Sequence, residues 1–266
     1  MPVVTRLSPE ERAEFVRNGY VVVPGVVDRE RIDTALQMIN HWMFLGFDSA
    51  ERFTYYAQSY APELRSDPAI LGLLTQSGGF ALASDLVGRP LRDPDVGQIA
   101  LRFPVPVGRQ PFYEGAHVDG TPTALNAVPH DGRLHGFTVL AGIFLSDVLG
   151  PDEGNFTVWP GTHRAMAAWF RDHGTEIPDP EAFFRATEAV AAATTEPVGV
   201  TGRAGDLLLS HHLLAHANGG HRGPNIRYAV FYRLTSDARD ALGDRVLTDP
   251  WAEWDAMRDV DAPLSG

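Results

Sequence analysis

Three side chains in this sequence have the types and spacing to hold one metal ion. His117 and Asp119 lie two apart in Gly115-Ala116-His117-Val118-Asp119-Gly120. In an extended segment, residues two apart point to the same side, so the imidazole and the carboxylate can reach one ion together. Gly115 and Gly120 let the backbone bend closely around them. Alone, a His-x-Asp pair reads more simply as a surface turn. A second segment changes that balance. Gly205-Asp206 forms a turn before the apolar run Leu207-Leu208-Leu209-Ser210, and His216, Asn218 and Arg227 follow. Two imidazoles and a carboxylate make a facial triad, which on Fe(II) leaves three positions open for a chelating cosubstrate and O₂. His211, His212 and His221 compete with His216 for the third place. The spacing to Arg227 and the strand-end context favour His216.

Arg227 falls eleven residues after His216 (227 − 216). In the alternation of the strand expected over Ile226–Leu234, it shares a face with Ala229 and Phe231. An arginine turned inward from an apolar strand needs an anionic partner, because an unpaired buried charge is costly. The distal carboxylate of 2-oxoglutarate would satisfy it with bidentate geometry.

Composition removes several competing chemistries. The chain has 266 residues and no cysteine, so disulfides, thiolate zinc sites, iron–sulfur clusters and cysteine nucleophiles are excluded. All 22 basic residues are arginine. Without lysine, neither Schiff-base chemistry nor a phosphate-loop lysine is available. The net charge of −12 argues against a nucleic-acid partner. It also gives no reason to expect a CoA thioester as substrate. With 44% hydrophobic residues the chain can build a sizeable core. No apolar run approaches the roughly 18 residues needed to span a bilayer. Met1 to Arg12 lacks the basic-then-apolar pattern of a signal peptide, so a cytoplasmic location is expected.

The elements that must position these residues can be read in outline. Ser8-Pro9-Glu10-Glu11 has the pattern of a helix start with a capping box, and that helix should stop near Gly19. Tyr20-Val21-Val22-Val23 reads as a short strand closed by Pro24-Gly25. Asp28 caps a second helix, with Ile32, Ala35, Leu36, Ile39 and Met43 at helical spacing. Ala69 to Val87 should be helical with a break at Gly78-Gly79. From about residue 96, short apolar strands alternate with Gly/Pro turns: Gln98–Phe103, Phe137–Asp147, Asn155–Trp159, Asp206–Ser210 and Ile226–Leu234. That spacing predicts an antiparallel sandwich or barrel. Ala165 to Ala193 reads as one or two inserted helices. One domain over 1–266 is expected, with a helical part to about 95, a β-core over about 96–235, and a tail over 236–266.

The ordered set of motifs resembles the phytanoyl-CoA dioxygenase (PhyH-like) family of Fe(II)/2-oxoglutarate oxygenases. The matching pieces are Asn18-Gly19-Tyr20-Val21-Val22-Val23-Pro24-Gly25 after the first helix, His117-Val118-Asp119, Gly154-Asn155-Phe156-Thr157-Val158-Trp159-Pro160-Gly161-Thr162-His163-Arg164, the Gly205-Asp206 turn, and His216 with Arg227. They run from about 8 to 235 in the family's order. The resemblance implies a mainly β fold with flanking helices around a double-stranded β-helix, a cupin-like jelly roll. It implies Fe(II) on His117, Asp119 and His216, and 2-oxoglutarate anchored by Arg227. It further implies use of O₂ with release of succinate and CO₂. Two positions depart from the family's pattern. Asn218 stands where members often have serine and remains able to bond a carboxylate. Arg102 stands near a position often held by lysine.

Other polar and aromatic residues have two readings each. Gln98 and Arg102 share one face of their strand and can line a pocket, though Arg102 suits a barrel-rim salt bridge equally well. His135 can reach substrate or, like His130, belong to a solvated loop. Phe112 and Trp159 can be pocket walls or packing, and His163 suits a structural turn. The expected activity is hydroxylation of a small molecule of the natural-product kind. A carboxylate at Asp119 favours this over halogenation, because related halogenases have a small residue there. Desaturation, epimerisation or cyclisation would begin from the same hydrogen abstraction. The rival readings are a jelly-roll metal-binding protein without turnover, and a cupin-like enzyme using Zn or Mn without 2-oxoglutarate. Neither rival needs an inward arginine at 227.

Overall fold

The capping signals near the N-terminus act as their chemistry requires. In a computed structural model describing residues 5–261, helix α1 (Pro9–Asn18) begins at Ser8, whose hydroxyl accepts from Glu11 N while Glu11 accepts from Ser8 N. It ends at Gly19 with φ 82°, a left-handed conformation that glycine adopts without strain. Strand β1 (Tyr20–Val23) follows, then α2 (Arg29–Leu45), capped by Asp28. A short α3 (Arg52–Ala57) precedes the pair α4 (Pro68–Thr75) and α5 (Gly79–Val87), broken at Gly78 as the glycine pair predicts. The remaining strands are β2 (Gln98–Arg102), β3 (Val139–Phe144), β4 (Phe156–Val158), β5 (Val198–Gly199), β6 (Leu207–His211), β7 (His216–Asn218) and β8 (Arg227–Leu234). The expected insertion resolves into two helices, α6 (Thr162–His173) and α7 (Pro180–Thr194).

The strands form two antiparallel sheets, one of order β1-β6-β3-β8-β2 and one of order β5-β4-β7. Alternation along the large sheet decides what each face meets. Val139, Ala141, Ile143, Leu207, Leu209, Val230 and Tyr232 face the helical layer of α1, α2, α4 and α5. Leu140, Phe144, Leu208, Ala229 and Phe231 face the small sheet, where Phe156 and Val158 meet them. This is a jelly-roll core with helices stacked on the outside of its larger sheet. Both faces of β3 are covered, which is why Val-Leu-Ala-Gly-Ile-Phe reads as one continuous apolar run.

Beyond 235 the chain packs back on the core. After the short helices α8 (Arg239–Leu242) and α9 (Arg245–Thr248), the turn before the last described helix, α10 (Asp255–Asp261), sets Trp251 and Trp254 against Phe15 of α1. Glu253 is buried with Arg239, and its carboxylate also accepts from Thr138 and Ser236. The described part of the segment expected to be a tail, 236–261, therefore contributes core. Residues 262–266, like 1–4, lie outside the described part of the chain. No single helix among the described residues is long and apolar enough to cross a membrane.

Candidate metal centre and cosubstrate pocket

The open end of the jelly roll is assembled by the hydrogen bonding of β7 with the segment before Gly120. His117 and His216 face each other across an antiparallel bridge, each N–H donating to the other's carbonyl at 2.9 Å. Asp119, two residues on, projects to the same side. Its Oδ1 lies 3.9 Å from His117 Nε2 and 3.6 Å from His216 Nε2. One ligand atom from each of the three falls within 4.8 Å of the others. The tautomers are fixed from behind. His216 Nδ1 lies 2.9 Å from Leu214 O and His117 Nδ1 a weaker 3.5 Å from Gly115 O. With Nδ1–H donating to a carbonyl, each Nε2 lone pair faces the shared point, the arrangement a metal-binding imidazole needs. Gly120, at φ 89°, turns the chain away, and a Cβ there would collide with the His135 carbonyl.

Arg233 is a member of this site that the sequence reading did not single out. Its Nε and Nη2 lie 3.0 and 2.9 Å from Asp119 Oδ2, and Nη1 donates to Gln98 Oε1 at 2.8 Å. One carboxylate oxygen is thus held by the guanidinium, and the other is turned to the imidazoles. Burial would raise the Asp119 carboxyl, but Arg233, His216 and His117 outweigh it and hold it well below the usual carboxylate range. Burial and the neighbouring His216 push the His117 imidazole down. The alternation from Arg227 through Ala229 and Phe231 leads to Arg233, so the signal for it was present.

Behind the wall formed by Ala100, Phe156 and Phe231 lies Arg227. It is 3% exposed and sits beneath the lining, Nε donating to Gly154 O at 2.8 Å and Nη1 to Ala100 O at 3.2 Å. Its Nη2 is buried without a partner, and no carboxylate pairs with it among the described residues. Burial, with Arg102 alongside, pushes its pKa down to about 9. Arg102 makes no rim salt bridge among the described residues. Its guanidinium lies 3.9 Å from the Tyr56 ring centroid, Nη1 donates to Leu101 O, and Nε has no partner. Asn218 lines the cavity too, but its backbone N–H and its side-chain amide both donate to Glu114, at 3.0 and 2.6 Å. Burial alone would raise the Glu114 carboxyl. Tyr56, His117, Arg102 and Asn218 together lower it. Neither Glu114 nor Tyr56 stands in a motif, so no local pattern points to either.

His117, Asp119, His216, Asn218, Gln98 and Arg102 therefore line one cavity of about 750 Å³, and Arg227 lies outside its lining, next to the wall residues Phe156 and Phe231. Three other residues are not brought there. Phe112 is 74% exposed. His135 is turned outward onto Asp131, 2.8 Å away, leaving only its carbonyl near Gly120. Trp159 packs against Ala116, Ala191 and Ala215, the bland reading of an aromatic beside a β-core. The rival histidines are turned to the protein. His211 has Nε2 2.7 Å from Pro250 O and accepts from Leu213 N, His212 faces Val246 O, and His221 faces Asn225 O.

Comparison with known proteins places the chain in a family and a fold. The family model described as phytanoyl-CoA dioxygenase (PhyH) matches residues 15–229. No curated protein matches the sequence at a significant level. Among solved structures, HygX from Streptomyces hygroscopicus, crystallised with nickel and 2-oxoglutarate, is 20% identical with a TM-score of 0.57, over 87% of this chain and 88% of that one. The non-haem α-ketoglutarate-dependent carbocyclase SnoK from nogalamycin biosynthesis is 19% identical at 0.56, over 86% and 84%. The epimerase SnoN, in complex with Fe³⁺, α-ketoglutarate and nogalamycin RO, is 22% identical at 0.52, over 85% and 82%. At these identities the likeness is one of fold.

Proposed function

The chain belongs to the phytanoyl-CoA dioxygenase (PhyH) family and is an Fe(II)/2-oxoglutarate-dependent oxygenase, and we propose that it oxidises a C–H bond of a small molecule bound above His117, Asp119 and His216. The observation that carries this reading is a convergent triad in one cavity with an incompletely partnered buried guanidinium, that of Arg227, directly behind its wall at Ala100. An arginine whose Nη2 is buried without acceptor, and whose pKa is lowered by that burial, waits for an anion. Neither a zinc or manganese cupin nor a binding protein needs that charge.

When bound, the iron and 2-oxoglutarate supply the oxidising chemistry, with succinate and CO₂ as co-products. The chain's own work is positional. His117 and His216 turn Nε2 toward the metal position because each Nδ1 faces a backbone carbonyl. Arg233 keeps Asp119 turned so that Oδ1 faces the metal position. Arg227 and Asn218 receive the distal carboxylate, and Asn218 must release Glu114 to do so. Phe156 and Phe231 wall the lower cavity and keep water from it.

Hydroxylation is the reading favoured by the carboxylate at Asp119. Epimerisation or ring closure is a second reading, favoured by the fold shared with SnoK and SnoN. Both begin with abstraction of a hydrogen atom. A small-molecule substrate suits the cavity size, and HygX has been crystallised with hygromycin B bound. The decisive experiment is anaerobic titration of the Fe(II)-loaded protein with 2-oxoglutarate, followed by visible absorbance. A saturable new band is expected. Its absence at millimolar 2-oxoglutarate would remove the cosubstrate from the proposal.

A further inference from the structure

The cavity has a second cationic end, and the cosubstrate does not use it. Four residues separate Gln98 from Arg102 on β2, so at about 3.3 Å per residue their side chains emerge roughly 13 Å apart on the same face. Arg102 lies in register with Arg227, at the end where the distal carboxylate of 2-oxoglutarate is placed. Gln98 marks the opposite end. There Arg233 binds it through Nη1, and the neighbouring Gly97 N–H donates to Arg65 O at 2.8 Å. The triad carboxylate, held by Arg233, adjoins this second end.

Arg65 is the informative residue. It lines the cavity, yet its side chain makes no hydrogen bond and no ion pair among the described residues, and its Nε is buried without an acceptor. It caps a single turn of 3-10 helix, Pro62–Leu64. Gln98 spends its Oε1 on Arg233, which leaves the amide Nε2 free to donate. Asp119 is the acidic group that reaches this end, and it is committed to Arg233 and the metal position. Glu114 is at the far end on Asn218, and Glu188 of α7 lies over Gly115. The charge at the Gln98 end is therefore positive and unanswered. The same cavity is lined by the apolar side chains Phe53, Leu125, Val128 and Phe184, beside the polar Thr123 and Asn126.

Resting on the oxygenase reading above, we propose that the substrate is a carboxylic acid with an apolar body, its carboxylate received by Arg65 with Gln98 Nε2 as second donor. A guanidinium presents parallel N–H groups that match a carboxylate, and a partly buried pair of this kind is both strong and orienting. Anchoring at this end suspends the apolar body across the triad, so the C–H bond to be broken lies some distance along the chain from the acid group. A single guanidinium and an amide suit one carboxylate better than the several phosphates of a coenzyme.

The test uses matched pairs: a series of arylalkanoic and straight-chain carboxylic acids of stepped length, each with its primary amide. Binding to the Ni(II)- and 2-oxoglutarate-loaded protein is measured by calorimetry, in wild type, Arg65→Gln and Arg65→Lys. The acids are expected to bind at least tenfold tighter than their amides in wild type, a difference of about 1.4 kcal/mol. Arg65→Gln should remove that preference and Arg65→Lys should restore part of it. The affinity for 2-oxoglutarate should be the same in all three. Equal binding of acids and amides, no binding by any acid, or a preference that survives Arg65→Gln would each overturn the proposal. Failure of the oxygenase reading would look different, since 2-oxoglutarate would then not bind wild type at all.

Discussion

His117 and His216 are tied to backbone carbonyls through Nδ1 and leave Nε2 open, whereas His163, His211 and His212 are packed away among aromatic rings. His211 stacks on Trp254 at 5.0 Å between centroids and on His212 at 4.4 Å, and His163 sits 5.4 Å from Trp251. Burial lowers the pKa of all three, that of His211 to about 3. The same residue type thus serves as an open donor at one end of the barrel and as a neutral packing plate beside the C-terminal helices. The two guanidinium environments repeat the contrast. Buried Arg239 has Glu253 as its ion-pair partner, and buried Arg227 has only carbonyls. Where the fold needs a charge for itself it supplies the counter-charge, and where a ligand is to supply it the position is left open.

The largest expected effect separates the histidine groups outright. His216→Ala should abolish Fe(II) binding and substrate-dependent succinate formation while the denaturation midpoint stays near wild type. His211→Ala should do the reverse. Iron affinity should be kept, and stability should fall by roughly 3 kcal/mol, as in other large-to-small truncations of a packed core. Metal titration and urea unfolding on the two variants read both quantities. If His211→Ala lost iron and His216→Ala kept it, the assignment would be reversed.

Arg227→Ala comes next. Breaking a buried charge pair by removing one partner costs about 3–5 kcal/mol. At about 1.4 kcal/mol per tenfold, 2-oxoglutarate affinity should fall by about 100-fold or more. Arg227→Lys keeps the charge without the fork and should recover part of the loss. Iron affinity should change little in either. Equal 2-oxoglutarate affinity in all three proteins, measured on the anaerobic complex, would take Arg227 out of the site.

The packed histidines give a pH signature. Their folded-state pKa values are lowered, so below about pH 6.5 the unfolded chain binds protons that the folded chain refuses. Stability present above that pH is lost as pH falls from about 6.5 toward 3, by up to roughly 1.4 kcal/mol per pH unit for each histidine. His212→Gln should flatten the slope of the urea midpoint against pH. An unchanged slope would mean that the cluster is already protonated in the fold.

Much of this contrast was legible in the sequence, and the rest was not, for physical reasons. The capping box at Ser8, the stop at Gly19 and the alternation through Arg227, Ala229 and Phe231 are local patterns, and the structure keeps each of them. The triad was readable because two of its members are two residues apart and the third follows a turn with its own signature. Glu114 and Arg65 were not readable, since each is polar in a loop or corner and becomes meaningful only when distant β7 and β2 come alongside. His135 and Phe112 failed to reach the cavity because their loops run along the surface, where solvent and Asp131 satisfy them. The stretch from 236 onward lacks β alternation, yet Trp251 and Trp254 are buried by α1, which the sequence places far away.

The smallest effect probes the one place where the open end is partly closed by the protein's own charge. Glu114 accepts from the backbone N–H of Asn218 and from its side-chain amide, and it lies in the field of Arg102. A cosubstrate carboxylate arriving at Asn218 meets that carboxylate first. It must displace it, and it must approach a negative charge while doing so. Glu114→Gln keeps an oxygen for Asn218 but removes the repulsion and leaves Arg102 less neutralised, and both changes favour the incoming carboxylate. For a part-exposed pair the screened interaction is about 1 kcal/mol. The affinity for 2-oxoglutarate should therefore rise by roughly fivefold. It should rise less at high salt, because an exposed part of the interaction is screened there. The measurement is the same anaerobic titration, run at two ionic strengths. A weaker affinity in Glu114→Gln would show that the carboxylate holds Tyr56 and Asn218 in the form the cosubstrate needs, and the contrast between self-satisfied and ligand-awaiting groups would then have to place Glu114 among the first.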